Sequence, residues 1–271
     1  MPARASRRTL RKATAMVGML CLTCDNMGSA VEVGLGTRAG PDPRDPSLTT
    51  GYPRWLALLD DLDLSATFFI EGWNGLHHPA QVRGLAERGH EVGLHGWVHE
   101  SFSKLSPMEA ERVLRDAMAA FSNIGLTPRG FRAPGGLRGA HTVALLETLG
   151  LDYDSSVDDF RAEVMAPRTI GTDIVTIPWR VEAIDYFHFV SLSPPASPES
   201  VERIWNQMID EAAETDGLVT LIFHAMTIGV EDQRLSMADR VLRRALAHPG
   251  IEVLRADVLV DRVRGARKQR A

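Results

Sequence analysis

The chain has 271 residues, 44% of them hydrophobic and 24% charged, with 23 glycines, an ordinary globular composition that is neither disordered nor fibrous and a length suited to one α/β barrel. A formal net charge of −5 and a pI near 6.0 give no attraction to a phosphate backbone or an anionic bilayer, so nucleic acid and membrane are set aside as partners. The two cysteines, Cys21 and Cys24, lack the second pair of a zinc knuckle and read as core thiols in a reducing compartment.

In chain order, residues 1–14 form a basic arm in which Arg7, Arg8, Arg11 and Lys12 precede the apolar run Ala15 to Leu22. The run superficially resembles a secretion signal but is too short to span a bilayer. Cleavage after it would disrupt Thr23-Cys24-Asp25-Asn26, so an uncleaved cytoplasmic protein is expected. The apolar run, ending in polar residues and Asn26-Met27-Gly28-Ser29, predicts a buried strand feeding a loop. Residues 34–53 read as a long irregular connection. Trp55, Leu58, Leu59 and Leu62 mark an amphipathic helix leading into a strand over Ser65 to Ile70. The alternation repeats: a helix over 78–88 leads to a strand from His90 to Leu94, and a helix over 107–124 to Gly130-Phe131-Arg132. A helix over 140–149 then leads to Tyr153-Asp154, and Thr169 to Pro178 is strand-like. A helix over 198–215 precedes Leu218 to Phe223, and one over 236–247 precedes Ile251 to Leu254. Alternation throughout predicts a parallel sheet flanked by helices over residues 15–260, followed by a basic tail over 261–271. About seven strands, with polar residues clustered past their ends, favour a closed or nearly closed (β/α) barrel over a doubly wound sheet. In either architecture ligands gather at the carboxyl ends of the strands.

Four strand ends carry groups able to do chemistry. After Leu94 come His95 and His99, which would bind one cation if the chain turned into a helix there, or else are loop histidines on a polar rim. Asp25-Asn26 brings a carboxylate able to take a proton from water, although Asp-Asn before glycine is also common turn chemistry. Arg132, ahead of Pro134-Gly135-Gly136, would hold that carboxylate or satisfy carbonyls, and the turn lets backbone approach closely. His224 ends an apolar strand, as a general acid or as a satisfied core histidine.

Together these segments resemble the polysaccharide deacetylase family, the NodB homology domain or carbohydrate esterase family four, over roughly Met19 to Leu254. Thr23 to Gly28 is similar to its T-F-D-D-G-P motif, Ala66 to Phe69 to A-T-F-F, and His95 to His99 to H-[ST]-x-x-H. Arg132 to Gly136 is similar to R-x-P-x-G, Tyr153 to Ser156 to Y-D-S-S, and Leu221 to His224 to L-x-x-H. The resemblance implies a distorted (β/α)7-type barrel and a hydrolase of non-peptide amide C–N bonds. It implies Asp25 as base, Arg132 orienting it, His95, His99 and Asn26 as metal ligands, and His224 as acid to the leaving amine. Asp154, Asp173 and Asp185 are equal candidates to orient His224. Pro134, Gly135, Trp179 and Leu221 are expected against the substrate, the last two around an acetyl methyl. Trp73, Trp97, Tyr186 and Phe187 are expected to stack on a ring or to pack the barrel.

Two departures qualify the resemblance. Asn26 stands where the family has a ligating aspartate, and a neutral amide is the weaker ligand. The expected cofactor is one divalent cation, zinc ahead of cobalt, manganese or nickel, weakened or absent if Asn26 does not ligate. Gly96 replaces Ser or Thr, and the stretch Gly89 to Glu100 is closer to the cytoplasmic branch that holds allantoinase-like and peptidoglycan-deacetylase-like proteins. Three functions follow as expectations: deacetylation of an N-acetylated sugar or amine; hydrolysis of a cyclic amide or imide; or non-catalytic binding of a carbohydrate or small amide. The partner is a small-molecule or carbohydrate substrate. The oligomeric state is left open, a homo-oligomer included.

Overall fold

The structure is a computed structural model that describes residues 17–160 and 166–268; the expected basic arm, the first two residues of the apolar run and the last residues of the expected tail lie outside the described residues. Strand β1 (Gly18–Asp25) leads through helix α1 (Ala30–Gly34) and a π-helical turn (Ser47–Gly51) to α2 (Tyr52–Asp61) and β2 (Thr67–Ile70). Next come α3 (Gly72–His77), α4 (Pro79–Glu87), β3 (Glu91–Leu94), α5 (Pro107–Ser122), β4 (Gly130–Phe131), α6 (Thr142–Thr148) and β5 (Tyr153–Asp154). The chain continues as β6 (Arg168–Ile170), β7 (Ile174–Thr176), α7 (Pro198–Thr215), β8 (Leu218–His224), α8 (Ala225–Ile228), α9 (Asp232–Ala247), β9 (Ile251–Leu254) and α10 (Ala256–Lys268).

The sheet runs β6-β7-β5-β4-β3-β2-β1-β8, parallel except for the β6–β7 pair. β1 is its axis: all but one of its residues are buried, as suits a strand covered on both faces. β8 pairs along one edge of β1 from Met19 to Asp25, while the other edge is divided, Gly18 to Cys21 against β9 and Thr23 to Asp25 against β2. The sheet curls so that the segment after β7 returns beside β8, where Ile184 bridges Ile222 and Thr220 Oγ1 donates to Pro178 O at 2.9 Å. A nearly closed barrel results, as expected. Among the described residues eight strands, β1 to β5 and β7 to β9, have a parallel neighbour.

Helix signals placed the outer layer well. Ser106 caps α5 in a reciprocal capping box with Glu109, and Pro107 opens its first turn. Three features differ from expectation. Thr169 to Pro178 is not one strand: Gly171, at φ 58°, turns it into the antiparallel β6–β7 hairpin. A short helix, α3, packs on α5 where no periodicity pointed to one; it lies against Ala117 and Phe121 through Gly72 and Gly75, which have no room for a Cβ. Residues 261–268 of the segment read as a basic tail continue α10, whose apolar face buries Leu259 and Val260 just before them, while Arg262 pairs with Glu252 and Arg264 with Asp152 and Asp173.

Candidate active site

The strand ends converge as register dictates. Asp25 lies opposite His224 across the β1–β8 pair, and Leu94 opposite Phe131 across β3–β4, so His95 and Arg132 leave adjacent strands side by side. Arg132 is 1% exposed, and a guanidinium so deep must be partnered. Its Nη1 donates to Asp25 Oδ1 at 2.6 Å and to Thr23 Oγ1 at 2.9 Å, its Nη2 to Ser155 Oγ at 2.8 Å and its Nε to Ser155 O at 3.2 Å. Phe69 lies beneath it, 4.3 Å from Cζ to the ring centroid. The arginine thus holds the carboxylate and satisfies a carbonyl at once.

His95 and His99 are not on a helix. The chain turns at Gly96 (φ 75°), and His99 itself is left-handed at φ 72°. Glu100 holds this turn by accepting the N–H groups of Trp97 at 2.9 Å and Val98 at 3.1 Å. The turn still brings the two imidazoles to one place, ring centroids 5.1 Å apart. His95 Nδ1 donates to Arg132 O at 2.8 Å, which leaves Nε2 with a free lone pair. Burial, with like charge nearby, pushes both histidines down to about 3, so both are neutral and able to ligate.

Asn26 is also left-handed, at φ 65°. A set of residues that sequence reading passed over fixes its loop. Tyr52 Oη donates to Asn26 O at 2.5 Å, Met27 N donates to Glu71 Oε2 at 3.2 Å, and Asn74 Nδ2 donates to Met27 O at 3.0 Å and Glu71 Oε2 at 2.9 Å. Glu71 is fully buried, and that burial pushes its carboxyl up to about 8. The one signal for it was a glutamate set directly after the apolar run Thr67 to Ile70. Asn26 Oδ1 is buried without a hydrogen-bond partner. Among the described residues no third His, Cys, Asp or Glu completes a metal-holding group with the histidines. The donors that fit a divalent cation here are therefore two neutral imidazoles and this unpartnered amide oxygen, a set weaker than one with a carboxylate.

At the end of β8, His224 N donates to Asp185 Oδ2 at 2.8 Å and its Nδ1 to Asp185 Oδ1 at 2.6 Å. The Ile184–Ile222 bridge delivers Asp185 to this position. Of the other two candidates, Asp154 accepts from Ser156 and Asp173 pairs with Arg264. Burial opposes charge on His224, but the Asp185 carboxylate prevails and holds its pKa above the ordinary 6.5.

Asp25, Asn26, His95, His99, Arg132 and His224 open on one cavity of about 350 Å³, which Gly135, Trp179, Tyr186 and Phe187 also line. Trp179 Nε1 donates to Ser155 O at 2.7 Å, and a Cβ on Gly136 would lie 2.4 Å from its indole, so the bare backbone of the Gly-Gly turn seats the ring. Leu221 does not line the cavity. A strand alternates its faces, so with His224 directed inward it is Ile222 that joins the wall while Leu221 enters the main core. Pro134 is likewise buried away from the cavity, its ring packed over Gly96. Trp73 stacks on His77 and Trp97 packs on the core, so of the four stacking candidates only Tyr186 and Phe187 reach the cavity.

Residues 39–153 match the family model described as Polysaccharide deacetylase, a span holding His95, His99 and Arg132. A Peptidoglycan deacetylase of Helicobacter pylori is 26% identical over 269 residues, which cover 86% of this chain and 92% of that protein. The chain spans about two thirds or less of the length of further curated relatives. In fold it is similar to a Mycobacterium smegmatis protein described as a polysaccharide deacetylase, with TM-score 0.79 at 22% identity, covering 92% of this chain and 91% of the other. The Puue allantoinase gives TM-score 0.76 at 18% identity over the same shares of the two chains. Family match over residues 39–153, curated relative and barrel agree in likening the chain to the polysaccharide deacetylases.

Proposed function

We propose that the protein is a metal-dependent amide hydrolase that deacetylates an N-acetylated amine or sugar. The observation that carries this reading is the meeting in one cavity of an arginine-held carboxylate, two neutral histidines and a carboxylate-held histidine. Asp25, oriented by Arg132, takes the proton of the attacking water. His224 hands a proton to the departing nitrogen, and Asp185 keeps that proton on the ring near neutral pH. The cation that His95, His99 and Asn26 would hold supplies carbonyl polarisation and a lowered pKa for water. Zinc suits two imidazoles and an oxygen, and cobalt, manganese or nickel would serve the same donors. The Helicobacter pylori relative, named for deacetylation, supports the reading.

A second reading, hydrolysis of a cyclic amide or imide, is favoured by a cavity of about 350 Å³, at the small end for a ligand site and the scale of a single ring. Metal analysis with and without chelator, coupled to turnover of N-acetylglucosamine oligomers, simple N-acetylated amines and hydantoin-like rings, tests both. The expected result is about one equivalent of divalent cation, lost in His95→Ala, with turnover abolished on its removal. A folded protein that takes up no metal and hydrolyses no amide would leave a non-catalytic binder in its place.

A further inference from the structure

One corner of the chain serves both turns that carry candidate ligands. Asn26 N–H still joins the β1–β2 ladder, donating to Phe69 O at 3.2 Å; just beyond, β2 passes into α3. The backbone of this corner holds the histidine turn: His95 N–H donates to Ile70 O at 3.0 Å, Gly72 N–H to Gly96 O at 2.9 Å and Trp73 N–H to Trp97 O at 3.1 Å. Its side chains hold the Asn26 loop, where strand pairing has ended. Met27 N–H donates to Glu71 Oε2 and Met27 O accepts from Asn74 Nδ2, which also donates to Glu71 Oε2, so the two side chains brace each other. The corner is itself fixed, because a Cβ on Gly72 would lie 2.4 Å from Ala117 Cα and one on Gly75 2.7 Å from the Phe121 ring.

Both turns are therefore referred to one origin, and the place of Asn26 relative to His95 and His99 follows from it. Neither Glu71 nor Asn74 lines the cavity, and both are wholly enclosed. A carboxyl and an amide are costly to bury, and the close approach of α3 to α5 runs through Gly72 and Gly75 without them. What they supply is a seat for Met27, one residue past Asn26. A neutral amide oxygen is a weak ligand, so little of its binding can be given up to ordering a mobile loop. We propose that Glu71 and Asn74 are positioning residues for the cation, acting through Asn26 and touching neither cation nor substrate. This rests on the metal-dependent reading and adds to it the groups that orient the weakest ligand.

Zinc affinity, read by competition with a chromogenic chelator, gives a double-mutant cycle. Asn74→Leu and Glu71→Leu, of similar size but unable to hydrogen-bond, are each expected to weaken zinc by about 10–100-fold, the range for loss of groups that orient a ligand. In an Asn26→Ala background the same changes are expected to cost less than about 2-fold, because their effect passes through the amide. A generally loosened site loses as much in both backgrounds. That additivity, or an unchanged affinity in either Leu variant, overturns the inference; with zinc still bound and lost in His95→Ala, the hydrolase reading stands. Should the Leu variants not fold, Asn74→Ser and Glu71→Ser, which admit water to the freed groups, take their places in the cycle. Folded wild-type protein that binds no zinc removes the inference and the metal-dependent reading together.

Discussion

Arg132 sits at the junction of stability and chemistry. Its side chain is enclosed, its charge is met by Asp25, and its remaining donors go to Thr23 and Ser155. Removing one member of a buried pair strands the other, so Arg132→Met is expected to lose about 3–5 kcal/mol of stability in denaturant titration as well as activity. Asp25→Asn preserves shape and most of the hydrogen bonding. It is expected to keep the fold and metal content while kcat falls by roughly 10²–10⁴, the range for loss of a general base. His224 is protonated above its ordinary 6.5 because of Asp185. An acid is active only while it holds its proton, so kcat/KM is expected to fall as pH rises through that raised value. The pair's contribution to stability follows the same sign: complete below 6.5 and lost as pH climbs through the folded value. Asp185→Asn is expected to move the alkaline limb of the pH–rate profile toward lower pH. An unmoved limb would assign it to another group. The ends of this pair differed in legibility: His224 was visible at the end of an apolar strand, whereas Asp185 was one of three equal aspartates, because its place depends on a bridge between segments 38 residues apart in sequence.

Two elements show local geometry overriding motif position. On β8 the period of two assigns Leu221 to the core and Ile222 to the cavity, although only Leu221 belongs to the motif. Leu221→Ala is expected to cost about 2–5 kcal/mol of stability, a buried-leucine truncation. In the His95 to His99 turn a helix was the simplest way to set both imidazoles on one side, but two left-handed residues achieve this within a tighter path. Gly96 makes that path possible: at φ 75° a Cβ would lie 2.9 Å from the Glu100 carboxylate and 3.1 Å from Pro134. Gly96→Ala is therefore expected to cost on the order of 1–3 kcal/mol in thermal or chemical unfolding and to weaken metal retention, read by metal content after dialysis. Retained metal with unaltered stability would mean that the turn tolerates the side chain.

At the scale of the molecule, chemistry occupies the carboxyl ends of the strands while the opposite end is scaffold. There Glu91 accepts Thr67 Oγ1, Tyr153 Oη and the N–H of Asp257, tying α10 beneath β2, β3 and β5. Leu259→Ala, at a fully buried position of α10, is expected to lose about 2–5 kcal/mol with kcat unchanged, measured by denaturation alongside a saturating assay. Among the described residues no helix is long and apolar enough to cross a membrane. The main alternation of strands and helices, the largely parallel class of the sheet and the strand-end positions of Asp25, His95, Arg132 and His224 were determined by the sequence alone, because periodicity, glycine stops and caps act over a few residues. The division of one β1 edge between β2 and β9, the loop-holding role of Tyr52, Glu71 and Asn74, the choice of Asp185 and the place of Ile222 in the cavity wall were decided only by the tertiary structure. Each depends on groups brought together by the curl and closure of the sheet, and such long-range pairing leaves no local pattern along the chain.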